Sequence, residues 1–251
     1  LFKKINIEIN DNKITSIIGK SGSGKTTLLN LIFGLYKEFE GYLIIDNKTI
    51  NSEDELKKAR KNISYLTQDS EDEMIYSNFR KNLSKEINNI SKEKYEDMCL
   101  SLNLTDKMLK KSSLDLSDSE LKRIMLLKTF IRNCNMIMLD DPTSNLDQKN
   151  ISSLIKLIKR EKNSGKTILI ASNDIEFLLK VSDEIIVLEN NKITKFNNKY
   201  NIFSNKEILK NINAQIPKII EFKLLVNKDK KIKLIYRDNI NDLIKDIYRN
   251  A

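Results

Sequence analysis

The sequence contains no histidine. That absence removes imidazole metal sites and imidazole acid–base chemistry from any mechanism open to it. Its two cysteines, Cys99 and Cys134, lie far apart in apolar, helix-like surroundings. They read as buried thiols of a reducing compartment rather than as a disulfide. No stretch approaches the roughly 20 uninterrupted apolar residues of a membrane span. Strand-like alternation begins at once in Leu1-Phe2-Lys3-Lys4-Ile5, so no signal peptide is expected, and the start on Leu1 leads us to expect a native start further upstream. Internal repeats and low-complexity linkers are absent. There are only two prolines: Pro142, and Pro217, which marks a break in the C-terminal region.

What is present is enough for a substantial core. The 251 residues, 40% of them hydrophobic, predict one large domain with a smaller attachment. The net charge of +9 invites a nucleic-acid reading. However, the lysines are spread along the chain with acids between them, as on an ordinary solvated surface, and only Lys228 to Lys233 forms a dense basic run. A protein close to anionic lipid would tolerate the same balance.

Strands are expected at Phe2 to Asn10 and Lys13 to Ile18, with Asp11-Asn12 as the turn between them. A hairpin follows at Gly41 to Ile50, then a short buried strand at Ile63 to Leu66. From Asp69 to about Ser113 the pattern becomes charged and helix-periodic, with segments at Ser91 to Leu102 and Thr105 to Lys110. Ser117 opens another helix, and Glu120 three residues on completes a capping box. The remainder alternates: strand Met136 to Asp140, helix Lys149 to Lys162, strand Thr167 to Ala171, helix Ile175 to Val181, and strands Glu184 to Leu188 and Lys192 to Phe196. Such alternation implies an α/β fold, a mostly parallel sheet with helices on both faces. A small unit from about Tyr200 to Ala251 closes the chain.

The chemistry concentrates in Gly19-Lys20-Ser21-Gly22-Ser23-Gly24-Lys25-Thr26, which fits G-x-x-x-x-G-K-[ST]. An apolar strand enters this loop, and Thr27-Leu28-Leu29 begins a helix leaving it. Glycines let the backbone curl so that consecutive N–H groups point at phosphate oxygens, and the following helix brings its positive dipole end to the same place. Lys25 can reach the β- and γ-phosphates and the Thr26 hydroxyl can ligate Mg²⁺. A phosphate loop needs a metal partner on a neighbouring strand. Asp140 stands at the end of the apolar run Met136 to Leu139, with Asp141 next to it toward an attacking water.

The order of the phosphate loop, Gln68, Leu116-Ser117-Asp118-Ser119-Glu120 and Leu139-Asp140-Asp141-Pro142-Thr143-Ser144-Asn145-Leu146-Asp147 resembles that of ABC-transporter ATPases over the first 199 residues or so. The resemblance implies a RecA-like P-loop core with an antiparallel β subdomain and an inserted helical subdomain at about residues 69–133. The ATP-binding domain would span 1–199, with a C-terminal extension at 200–251 as a possible dimerisation element. It implies ATP and Mg²⁺ as ligands, with Thr26, Gln68 and Asp140 around the metal. Asp141, Gln68 and Asn173 would be the catalytic positions, and Ser144 to Asp147 the D-loop. Ser117 and Ser119 would belong to the signature, which binds the γ-phosphate of ATP held by a second subunit facing head to tail. Two short segments are similar to energy-coupling-factor ATPases, which drive vitamin and metal-ion uptake. One is Gln68-Asp69-Ser70-Glu71-Asp72-Glu73-Met74. The other is Ile202 to Leu209 with Ala214-Gln215-Ile216-Pro217. By that resemblance Asp69 to Glu73 would form an acidic lip for a basic coupling helix of an integral membrane subunit, with this chain peripheral at the cytoplasmic face of the membrane. No direct nucleic-acid partner is expected.

Three motifs depart from the family pattern. Asp118 and Ser119 replace the glycines of the signature, and a carboxylate beside a polyanion weakens its grip on the partner's ATP. Asp141 stands where the family has glutamate; it is shorter by about 1.5 Å of reach, and a misplacement of about 1 Å costs on the order of a hundredfold in rate. Asn173 stands where a switch histidine is expected, and its neutral amide can donate to phosphate without carrying charge. The expectation is a sound ATP cradle, slow turnover by the chain alone, and a heterodimer with a better-equipped second ATPase. The adenine-stacking aromatic of the family lies upstream of the first strand, where Phe2 is at best a weak substitute. Two other readings remain: a soluble ABC ATPase acting on nucleic acid or ribosomes, and a nucleotide-gated structural subunit. A GTPase is disfavoured by the lack of an N-K-x-D element.

Overall fold

The computed structural model describes residues 5–36, 39–68, 84, 87–189, 192–196, 198–230, 234–236 and 240–250. The acidic segment Asp69 to Glu73 lies outside them. Five strands run parallel: β1 (Ile14–Gly19), β4 (Ile63–Leu66), β5 (Met136–Asp140), β6 (Thr167–Ala171) and β7 (Glu184–Glu189). With antiparallel β8 (Lys192–Phe196) they form a sheet ordered β4-β5-β6-β1-β7-β8. A separate two-stranded antiparallel ribbon pairs β2 (Ile44–Ile45) with β3 (Lys48–Thr49). The mixed α/β architecture read from the alternation is therefore present.

The sheet is covered on both faces, which is why its central strands are continuous apolar runs. Side chains alternate across it with period two. On one face Ile14, Ile18, Ile137, Leu139, Ile168, Ile170, Ile185 and Val187 pack against α5 (Asp118–Ile131), α6 (Gln148–Asn163) and α7 (Ile175–Val181). On the other, Ile17, Met138, Leu169, Ala171, Ile186 and Leu188 pack against α1 (Lys25–Ile32). Further helices are α2 (Glu53–Arg60), α3 (Lys92–Ser101), α4 (Asp106–Lys110), α8 (Lys199–Phe203), α9 (Lys206–Asn211), α10 (Lys218–Lys230) and α11 (Ile240–Asn250). Ile202, Phe203, Leu209, Ile212 and Ile220 bring the C-terminal helices into the first core face.

Two local expectations change. Residues 5–10, the described part of the strand expected at Phe2 to Asn10, are not a strand. Their alternation has a different cause: Ile7 and Ile9 pack on the second core face, while Asn10 Nδ2 donates to Glu184 (2.7 Å) and Lys195 Nζ donates to Glu8 O (2.8 Å). Helix α2 was not expected. Its sequence, EDELKKAR, carries little apolar periodicity. It stands on its cap, Ser52 accepting from Glu55 N–H, with acids in its first turn and bases in its last to match the helix dipole.

Candidate nucleotide site

The carboxyl ends of the parallel strands gather most of the expected site residues. Strand β1 delivers the chain into the loop at Gly19, where a side chain would not fit: a Cβ would meet Ser23 Oγ at 2.5 Å and Leu188 O at 2.7 Å. Ser23 N–H donates to Lys20 O (3.1 Å) to close the turn. Gly22 and Gly24 take φ of 76° and 98°, a conformation that glycine adopts without steric cost. Lys20 and Ser21 are exposed, whereas Lys25, beginning α1, is buried. Its Nζ donates to Gly19 O and Lys20 O, both at 3.1 Å, at the centre of the loop. Burial pulls the Lys25 pKa down, and the charges of Asp141 and Asp140 oppose that pull.

Helix α1 differs from its neighbours at its start. Helices α2 through α9 each begin with a Ser, Thr, Asp or Asn side chain accepting from a first-turn N–H. Helix α1 begins at Gly24 with no side-chain cap and no acid in its first turn. Its orphan N–H groups, those of Thr26 and Thr27 included, stay available to an anion.

Asp140 ends β5 with 1% exposure. Burial pushes its carboxyl above the usual range; a hydrogen bond from Thr26 and the charges of Lys25 and Lys122 work against this, while Asp141 adds to it. The Thr26 hydroxyl also lies 3.3 Å from Gln68 Oε1, just past the end of β4. Among the described residues, Asp140 Oδ2 and Ser23 Oγ are buried without a hydrogen-bond partner, as is Lys166 Nζ at the far end of the strands, which lies in an ion pair with Glu161 (2.7 Å). Orphaned oxygens of this kind are costly unless a ligand satisfies them. The donor set suits the groups implied: Mg²⁺ takes a few protein oxygens, directly or through water, together with those of phosphate, and Ser23 Oγ lies beside Gly19 in the loop.

Asp141 follows in the left-handed region (φ 41°), which Asp enters more readily than most side chains. Its N–H donates to Ala171 O (2.9 Å), and Ser144 Oγ donates to Asp141 O (2.9 Å). Asp140 is in register with Ala171, so exposed Asn173, two residues further, stands on the same edge of the sheet. Asp174 beside it caps α7.

Ser117 and Ser119 sit apart, at the start of α5. The expected capping box is formed: Ser117 Oγ accepts from Glu120 N–H, and Glu120 accepts from Ser117 N–H at 2.9 Å. Lys111 Nζ bonds both Glu120 oxygens (2.9 and 3.0 Å), and this bond, with that from Ser117 N–H, holds the Glu120 carboxyl below its usual range. Among the described residues, the hydrogen bonds made by Ser117 and Ser119 stay within this segment and do not reach the loop.

Sequence reasoning missed a ladder along α1. Thr26 meets Gln68, Asn30 Oδ1 accepts from Tyr65 Oη (2.8 Å), and the carbonyls of Phe33 and Gly34 accept from Arg60 Nε (2.8 Å) and Nη2. Positions 26, 30 and 33 lie on one helix face. Arg60 also stacks over Phe33 at 5.1 Å, and Phe33 leans on Tyr65 with ring centroids 5.2 Å apart. Arg60 thus satisfies carbonyls at the far end of the helix whose near end is the loop. The Ser52/Glu55 spacing was the signal available for α2; the ladder itself has no local signature.

A family model described as ABC transporter matches residues 2–144. The chain is 32% identical over 229 residues to the energy-coupling factor transporter ATP-binding protein EcfA3 of Oenococcus oeni, covering 88% of this chain and 80% of that protein. It is 28% identical over 251 residues to EcfA2 of Mycoplasma capricolum subsp. capricolum, covering 94% and 86%. Among solved structures, the dimeric structure of MJ0796, a bacterial ABC transporter cassette, aligns with a TM-score of 0.69 at 26% identity over 78% of this chain and 90% of that one. The fold is also shared by cbiO1 of Clostridium perfringens, part of the ABC transporter complex cbiONQ, with a TM-score of 0.66 at 24% identity over 88% and 91%.

Proposed function

This chain belongs to the ABC transporter ATP-binding family, and we propose that it is the ATP-binding subunit of an energy-coupling-factor importer of vitamins or metal ions. The observation that carries the reading is the open phosphate loop facing a buried carboxylate oxygen without a partner. In this reading Gly19 to Thr27 cradle the phosphates and Lys25 reaches the outer two. Thr26, Asp140 and Gln68 hold Mg²⁺, which when bound neutralises charge developing on the phosphates. Asp141 orients the attacking water and Asn173 donates to the γ-phosphate. Ser117 and Ser119 face ATP held by a second ATPase subunit, head to tail, and the departures at Asp118, Ser119, Asp141 and Asn173 favour a heterodimer. The ATP-binding domain is residues 1–199, with its helical subdomain at 69–133, and the extension at 200–251 serves dimerisation. The chain sits peripherally at the cytoplasmic face of the membrane, and among the described residues no helix is long and apolar enough to cross one. A membrane subunit docks at Asp69 to Glu73.

The test is ATP titration of the purified chain with and without Mg²⁺, followed by turnover. The expected result is tight binding with kcat below about 1 s⁻¹ for the chain alone and acceleration in the complex co-purified from detergent-solubilised membranes. Faster turnover by the lone chain would overturn the slow-hydrolysis reading. Unchanged assembly after replacing Glu71 and Asp72 by Ala would overturn the docking reading.

A further inference from the structure

Between the signature helix and the D-loop helix lies a corner of the helical subdomain that bonds to both. Helix α3 ends in a Schellman turn. Asn103 takes φ 52°, its N–H donates to Leu100 O (3.1 Å), and Leu104 N–H donates to Cys99 O (2.8 Å). Glycine is the usual residue at this left-handed position and asparagine the common substitute. Glycine would serve the backbone equally well, but it would offer no side chain, and here the side chain is engaged. Asn103 Nδ2 donates to Asn150 Oδ1 (3.0 Å) and Ser153 Oγ (3.1 Å) on α6. Asn150 N–H in turn donates to Asp147 Oδ1 (2.7 Å), the D-loop residue that caps α6.

On its other side the corner is held from α5. Arg123, 8% exposed, donates through Nη1 to Asn103 O (2.5 Å) and Leu102 O (3.4 Å), and through Nε to Ser119 O (3.2 Å). A continuous line of hydrogen bonds therefore runs from Ser119 through Arg123, Asn103 and Asn150 to Asp147. Arg160, on the same face of α6, reinforces the corner with an ion pair to Asp97 (2.6 Å) and a bond to Ser101 Oγ (3.2 Å).

We propose that Asn103 is a positioning residue: it locks the start of the signature helix and the D-loop into one frame, so that the surface turned toward the second subunit's nucleotide moves as a single piece. This rests on the head-to-tail reading given above. The side-chain amide, rather than the turn, is what carries the role. That makes the proposal separable from simple folding, because Asn103→Gly keeps the left-handed turn and removes the amide. Asn103→Asp also tolerates the turn, and it can accept from the Ser153 hydroxyl and from a flipped Asn150 amide.

The experiment compares wild type, Asn103→Gly and Asn103→Asp, both as the full chain and as the complex purified from membranes with its natural partners. In the full chain, amide exchange at residues 144–151 is expected to rise about tenfold in Asn103→Gly, the scale of one or two net hydrogen bonds, while ATP affinity stays near wild type and the melting temperature falls by no more than about 4 °C. In the complex, kcat is expected to fall about tenfold with KM unchanged, and Asn103→Asp to restore both readouts. Unchanged exchange in Asn103→Gly overturns the proposal, and so does raised exchange with unchanged kcat. If Asn103→Gly alone lowers the melting temperature beyond that limit, the parallel double variant Asn150→Ala/Ser153→Ala, which removes both acceptors and leaves the turn intact, must reproduce the exchange and kcat changes or the proposal fails. Failure of the underlying head-to-tail reading shows separately, as absence of ATP-dependent pairing between the unmutated chain and the second ATPase subunit co-purified with it.

Discussion

The two ends of the parallel strands handle buried charge in opposite ways. At the amino ends the charged groups sit opposite a countercharge or a donor, even Lys166 Nζ, which makes an ion pair but no hydrogen bond. Glu184 is bound by Lys195 (2.9 Å) and Asn10 (2.7 Å), Glu161 by Lys166 (2.7 Å), and Asp183 accepts from Ile14 N–H (2.9 Å) and lies 3.5 Å from Lys162. At the carboxyl ends Asp140 keeps one oxygen without a partner, Ser23 does the same, and α1 starts uncapped. Polar groups that a fold can satisfy internally are structural. Those it leaves open mark where an outside group completes the bonding. The pKa directions divide the same way: Asp140 is pushed up by burial, whereas at Glu184 burial is outweighed by the hydrogen bonds from Lys195 and Asn10 and by the charges of Lys195 and Lys13, so its carboxyl is held low.

The largest effect that would break this contrast is at Asp140. Asp140→Asn is expected to abolish the Mg²⁺-dependent tightening of ATP binding, a loss of about a hundredfold, while the ligand-free chain gains about 1–3 kcal/mol because a buried carboxylate no longer has to ionise. Calorimetric titration and thermal melting read the two arms; a ligand-free chain that melts lower would sink the idea. Next comes Glu184→Ala, which leaves Lys195 facing an empty partner site and is expected to cost about 2–4 kcal/mol by urea unfolding. Its sign with pH can be fixed. A carboxyl held low in the folded state contributes stability that is full above the ordinary carboxylate range, around pH 4, and lost as pH falls through the lowered value. The deficit of Glu184→Ala should therefore be widest near neutrality and close in acid. The gain of Asp140→Asn should likewise grow as pH rises above that range, since there the pKa is raised. Both profiles widening in the same direction, one as a loss and the other as a gain, is the signature to measure in melts across pH. Smallest is Tyr65→Phe, which removes the bond to Asn30. About 1 kcal/mol of stability should be lost, with ATP affinity weakened about threefold or less. A neutral result in both would show that the middle rung of the α1 ladder contributes nothing.

The parts of the fold that were legible were those where burial and local pattern agree. Ile63 to Leu66, Thr167 to Ala171 and Ile175 to Val181 appear with the bounds read from the sequence, because short, mainly apolar segments bounded by turn or capping residues have few other structures open to them. The phosphate loop was legible for a different reason: its glycines are dictated by backbone geometry at fixed spacings within eight consecutive residues. The alternation in Phe2 to Asn10 misled for residues 5–10, where apolar side chains reach the core without backbone pairing. Helix α2 was illegible to periodicity since capping and charge placement hold it. Arg60, Tyr65 and Asn103 could not have been singled out, because their partners lie 27, 35 and 47 residues away. Pattern reading sees spacing along the chain, whereas these residues matter through folding.

The ladder on α1 also has a mechanical meaning. An eight-residue helix is a rod about 12 Å long, here fastened by Arg60 at the end away from the phosphates and by Gln68 at the phosphate end. Fastenings on one face resist rotation about the axis, so the freedom left is a pivot about the Arg60 end. A 1 Å pull on Gln68 would swing such a rod by about 5°, and the N–H groups at its open start would turn with it. Gln68, which directly precedes the acidic run Asp69 to Glu73 in the sequence, thus holds the loop end of a lever whose other end is bolted to the sheet's edge strand through α2.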